Sequence, residues 1–120
     1  MNNMLFENPL FLIPFSSGLI FCVVGLIMYK FPPKKINGLY GYRTASSMKN
    51  QVRWDFAQLY ASKQMIKYGL LLSVFGLVGL VYEPAESIST MLGLGLMILM
   101  VVLLIVKVEK KMKEEFKDTQ

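Results

Sequence analysis

The chain has 120 residues, 54% of them hydrophobic, with a mean hydropathy of +0.46, above the roughly 45–50% apolar share of soluble domains. Thirteen Lys and Arg against eight Asp and Glu leave a formal charge of +5. Nucleic acid, acidic partners or anionic lipid would each suit that charge, so its placement must decide. One cysteine, Cys22, lies in an apolar run, which excludes an intrachain disulfide and reads as a small packing residue.

The first predicted element is Leu10 to Tyr29, a charge-free run of 20 residues, about the length that crosses a ~30 Å hydrocarbon core. Its flanks, "MNNMLFENP" and "MYKFPP", lack the basic start and small-residue cleavage site of a secretory signal, so the span is expected to stay uncleaved. Pro14 falls near its start, where a lost backbone hydrogen bond is expected to bend the helix rather than break it.

A long loop, residues 30–64, follows. "KFPPKK" reads as a stiff cationic exit from the membrane and Asn37-Gly38 as a turn, with Gly41 a second flexible point. From Ser46 or Ser47, either of which can cap a helix, Met48, Val52, Phe56 and Leu59 recur at three- and four-residue spacing. With Lys49, Arg53 and Lys63 on other faces and Trp54 and Tyr60 as interface aromatics, this predicts an amphipathic helix lying on the membrane surface.

The second span is the shortest. Only 15 uncharged residues separate Lys67 from Glu83, so Lys63 and Lys67 are expected to snorkel and the span is set at 65–82. "YEPAES" reads as a turn, and residues 87–106 form a third apolar run. The basic tail from Lys107 offers Glu109–Lys113, Lys110–Glu114 and Lys111–Glu115 pairs at i,i+4 and reads as a solvated helix. Gly18, Cys22 and Gly25 share one face of the first span, and Gly69, Ser73 and Gly76 one face of the second, seams where helices can approach closely.

The predicted fold is therefore an all-α membrane protein, one domain with three transmembrane helices and an interfacial helix in the first loop. Lys30, Lys34, Lys35, Arg43, Lys49, Arg53 and Lys63 lie between the first two spans, with Lys67 at the start of the second, and the remaining basic residues lie in the tail. The positive-inside rule then places the loop and C-terminus in the cytoplasm and the N-terminus outside, in a bacterial inner membrane, with anionic inner-leaflet lipid as the partner of the basic excess rather than nucleic acid. Self-association is the expectation for so small a bundle.

The chemistry is sparse. Without a histidine, and with one cysteine and no P-loop, HExxH or GxSxG motif, no metal, cofactor or catalytic residue is expected and the chain reads as a non-enzyme. What stands out is "NGLYGYRTASS", residues 37–47. Here Gly38 and Gly41 permit tight backbone, Tyr40 and Tyr42 suit the headgroup layer, and Arg43 is expected on helix-capping carbonyls, on Asp55 or on a lipid phosphate.

Extended to "NGLYGYRTASSMKNQVRWDFAQ", the stretch resembles the signature of the SdpI/YfhL family of bacterial membrane proteins. The matching positions are Asn37, Gly41, Tyr42, Arg43, Thr44, Ser46, Ser47, Trp54 and Ala57, while Gln58 stands where the family usually has Asn. The best-known type of that family protects producer cells against a membrane-disrupting peptide toxin and holds a transcriptional repressor at the membrane. The resemblance thus implies an immunity and signalling role, with a peptide toxin and a cytoplasmic regulator as partners, for a short form carrying only the shared region. A small oligomeric channel or transport-like protein is the alternative.

Overall fold

The computed structural model describes residues 7–117; the start of the N-terminal segment and the last three residues of the tail lie outside it. Three helices, each long and apolar enough to cross a membrane, account for most of it. Helix α1, Pro9–Lys30, begins where the Asn8 side chain accepts the Leu10 N–H, with proline at the first position, whose missing N–H costs nothing there. It ends at Phe31, because Pro32 and Pro33 cannot continue it. Pro14 sits buried inside the helix.

Helix α2 runs unbroken from Gln51 to Gly76 and tightens into a 3₁₀ turn over Leu77–Leu80. Asn50 starts it, its side chain accepting the Arg53 N–H. Neither Ser46 nor Ser47 is the cap; both lie in the turn before it. Pro84 interrupts the chain after the 3₁₀ turn, and α3, Glu86–Glu115, carries Glu86 in its first turn and Lys113 in its last, the charge order that the helix dipole favours.

The separate interfacial helix predicted in the loop is replaced by the first half of α2, continuous with the second span. The large apolar residues that suggested a membrane-lying face are not the packed ones. Val52 and Leu59 are exposed, whereas Trp54, Ala57, Gln58, Ala61 and Ser62 are buried. That spacing is helical too, but apart from Trp54 its face is of small or polar residues, packed against protein rather than lipid. The tail helix also differs from its solvated reading. Val108 and Met112 are fully buried and cluster with Ala57, Ala61 and Leu104.

Helices α1 and α2 pack antiparallel along the glycine seams. A Cβ added at Gly18 would lie 2.5 Å from the Gly69 carbonyl oxygen, and one at Gly69 would lie 2.7 Å from the Gly18 carbonyl oxygen, so the two backbones touch. Further along, Gly25 faces Ser62 and Ile66, Gly76 faces Phe15, and the Ser73 hydroxyl donates to the Phe15 carbonyl at 3.1 Å. Cys22 lies in the same seam, its thiol 3.5 Å from the Ile66 carbonyl. Helix α3 closes on the pair through Gly93, which meets Pro9 and Ile13.

The result is a rod 56 × 25 × 21 Å. A helix of 30 residues such as α3 is about 45 Å long at ~1.5 Å per residue, half as long again as a ~30 Å hydrocarbon core. The surplus of α2 and α3 projects at one end, which also carries the loop and most lysines. Glu7, Glu83 and Glu86 gather at the opposite end around Asn8 and Pro84. There the Asn8 side chain donates to the carbonyls of Gly79 at 2.9 Å and Tyr82 at 3.0 Å, tying the start of α1 to the 3₁₀ turn.

Candidate functional site

At the basic end the segment 31–50 climbs along the projecting part of α2, turns, and returns across α2 to α3. Its outward arm is fixed by side chains of α2. Trp54, wholly buried, donates its indole N–H to the Pro33 carbonyl at 2.7 Å, and Gln51 donates to the Lys34 carbonyl at 2.6 Å. Trp54 is thus a buried strut rather than an interface aromatic. Gln51 also holds Asp55 at 2.8 Å, at the exposed surface.

The reversal is built by Asn37. Its side-chain oxygen accepts the N–H groups of Leu39 and Tyr40 at 2.9 and 2.7 Å, and its amide donates to the Lys35 carbonyl, so one side chain closes the turn from both sides. Gly38 needs no special space. The Tyr40 hydroxyl folds back onto the Phe31 carbonyl at 2.8 Å. Arg43 donates to the Gly38 carbonyl at 2.6 Å and is otherwise exposed. Of the partners expected for Arg43, a helix-capping carbonyl is replaced by this turn carbonyl, and Asp55 is engaged with Gln51 instead.

Gly41 brings the chain back. Its φ of 115° lies in the region that disfavours side chains, and a Cβ there would stand 2.6 Å from the Gln58 Oε1 and 2.8 Å from Pro33. That closeness lets the Gln58 amide clasp the next residue. It accepts the Tyr42 N–H at 2.7 Å and donates to the Tyr42 carbonyl at 2.8 Å, as a neighbouring strand would. Gln58 is buried, so this pairing answers the polar groups that burial strands.

Past that clasp, three side chains of the motif converge on one carboxylate of α3. Tyr42 donates its hydroxyl to Glu109 at 2.7 Å, Thr44 at 2.9 Å and Ser46 at 2.6 Å. The fully buried Ser47 hydroxyl knits the turn beneath, donating toward the Tyr42 carbonyl and accepting the Thr44 N–H. Arg53, only 3% exposed, completes the cluster. Its Nε donates to the Ser46 carbonyl at 2.9 Å, its guanidinium lies 5.1 Å from the Phe116 ring centre, and its charge acts on Glu109.

Electrostatics follow from this crowding. Burial pushes the Glu109 carboxyl upward, but the hydrogen bonds from Ser46, Tyr42 and Thr44, aided by Arg53, outweigh it and hold the group below its ordinary value. Burial first, then the bond to Glu109 and its charge, hold the Tyr42 phenol well above its ordinary value. Glu109 is therefore ionised and Tyr42 neutral at neutral pH, the states in which acceptor and donor match. Beside them opens a cleft of 220 Å³ lined by Ser46, Lys49, Arg53, Glu109, Met112 and Lys113.

Sequence reasoning singled out the loop hydroxyls but not Glu109, Gln58 or Arg53 as their partners. Glu109 had a local explanation in Lys113, four residues on, and turns instead to residues 63 to 67 positions earlier in the chain. The one signal available was an excess of hydroxyl donors in a loop with a single acid, Asp55. No group of His, Cys, Asp and Glu arranged to hold a metal occurs among the described residues.

A three-helix membrane bundle whose first loop is folded onto a carboxylate of its last helix defines the class: a multi-pass membrane protein with a structured polar cap. Residues 34–108, which cover most of the loop, all of α2 and α3 as far as Val108, match the model of the SdpI/YfhL protein family. The chain belongs to that family. It is 38% identical to the uncharacterized protein YfhL of Bacillus subtilis (strain 168) over 88 residues, covering 73% of this chain and 68% of the relative. No solved structure matches it.

Proposed function

We propose that this protein is a non-catalytic immunity or envelope-signalling factor of the cell membrane, acting through contacts made by its cap on the cytoplasmic side. The observation that carries the reading is a division within the motif. Tyr42, Thr44, Ser46 and Ser47 face inward and are consumed in holding the loop, while Leu39 (94% exposed), Tyr40 and Arg43 stand at the tip. A loop anchored this firmly presents its tip without paying the ordering entropy that weakens flexible segments. An exposed leucine beside an arginine suits a peptide or protein surface.

Chemistry at the cap supports contact rather than turnover. A carboxylate held low and already accepting three hydroxyls is a weak base, and a phenol held high is a poor nucleophile. The distribution of lysines supports an outside N-terminus and a cytoplasmic loop and tail. Toxin and regulator are the partner classes that the family relationship suggests. The channel alternative draws no support from the α1–α2 seam, which is filled by backbone contact within one chain.

The test is survival of a sensitive bacterium expressing the wild type, Leu39→Ala or Arg43→Ala at matched membrane abundance, challenged with membrane-active peptides of related strains. The expected result is protection by the wild type that both tip variants lose. Protection that persists in both variants would move the function away from the tip, and ion flux through liposomes carrying the wild type would favour the channel.

A further inference from the structure

Between α1 and α2 runs a second, larger feature to which α3 contributes nothing, an open groove of 690 Å³ lined by Leu26, Tyr29, Lys63, Ile66, Lys67, Leu70, Leu71 and Val74. Its two ends differ chemically. Leu70, Leu71 and Val74 make one end aliphatic, and they lie in the part of α2 packed along the seam with α1. Lys63 and Lys67, one helical turn apart, give the other end two ammonium groups. The Lys67 ammonium lies 5.8 Å from the Tyr68 ring centre, and no carboxylate lines the groove.

Two exposed ammonium groups at the edge of the hydrocarbon region, with no acid lining the groove, attract an anionic headgroup. A ligand with an anionic head and an aliphatic body answers both ends at once. We infer that the groove is a seat for one anionic phospholipid, its phosphate between Lys63 and Lys67 and an acyl chain along Leu70, Leu71 and Val74. A second copy of the chain is a poorer occupant, because a two-fold contact through this face sets Lys63 and Lys67 against their own counterparts. The inference is independent of the immunity reading.

Native mass spectrometry of the full chain, released from detergent with equal amounts of phosphatidylglycerol and phosphatidylcholine, tests it. Two lysines at a membrane surface are expected to favour retention of phosphatidylglycerol about tenfold or more. Lys63→Gln/Lys67→Gln should bring the two lipids to near parity, and Lys63→Arg/Lys67→Arg should keep the preference. Lys110→Gln/Lys111→Gln, which removes the same charge from the tail, should also keep it. Leu71→Trp fills the groove without altering charge and should displace the lipid, so the result does not hang on the glutamine pair folding. A preference that survives Lys63→Gln/Lys67→Gln, an equal loss in the tail pair, or a lipid-free dimer in the wild-type spectrum would overturn the inference.

Discussion

The two ends of the α1–α2 hairpin are joined by opposite chemistry. Within the membrane, Gly18 and Gly69 let backbone meet backbone, with only the small side chains of Ser73 and Cys22 beside the joint. At the basic end the helices are bridged instead by a loop that spends three hydroxyls on Glu109 and an amide, Gln58, on the Tyr42 backbone. The difference follows from solvent. In lipid there is no hydrophobic drive between helices, so association depends on how closely they pack. At the headgroup level water competes for every polar group, and a carboxylate shared among several donors holds a loop better than a single exposed pair.

The comparison breaks most readily at the seam. Gly18→Val and Gly69→Val place a Cβ against immovable backbone, so each is expected to lose about 3 kcal/mol or more, at the upper end of overpacking costs, read as a large drop in melting temperature in detergent. If either variant melts like the wild type, the seam is not a backbone contact. Glu109→Ala removes the shared acceptor of three hydroxyls and the charge that faces Arg53 and is expected to cost about 2 kcal/mol, with amide protection lost over residues 41–48 and retained along the seam. Gly41→Ala meets both an unfavourable φ and the Gln58 amide; about 1–3 kcal/mol is expected, again confined to the loop.

Acidity sharpens the same contrast with a smaller effect. Because the Glu109 carboxyl is held below its ordinary value of 4.5, its contribution is fully present above that pH and is lost as pH falls through the depressed value. Tyr42 acts in the other direction. Its raised value means that stability falls once pH climbs past 10, the ordinary value for the phenol. Protection factors of the loop amides should therefore fall at both extremes relative to those of the glycine seam, which carries no carboxylate or phenol. Smallest of all is Arg43→Lys. With a bond to one turn carbonyl and an exposed side chain, it is expected to change stability by less than about 0.5 kcal/mol, whatever it does to a partner.

The sequence made the three apolar helices legible because length and the absence of charge are properties of each segment alone. The packed face of α2 was hidden for a physical reason. Large apolar residues mark the face read as lying on the membrane, and Val52 and Leu59 do look outward, while the face that meets protein is carried by Trp54, Ala57, Gln58, Ala61 and Ser62, mostly small or polar residues that hydropathy does not flag. Glu109 was illegible for a different reason. A glutamate followed four residues later by lysine satisfies a local rule, and nothing near it in the chain marks it as the acceptor for hydroxyls more than 60 positions away. Arg53 looked like another surface charge until Ser46, Glu109 and Phe116 were assembled around it.

A double-mutant cycle on Tyr42→Phe and Glu109→Gln, read as unfolding free energy in one detergent, tests the folded cap most directly. Removing either group alone should be destabilising, and the pair should lose less than the sum, with a coupling of about 1–2 kcal/mol. Strictly additive losses would mean that Tyr42 and Glu109 do not meet, and that the loop is not held to α3 in the way described.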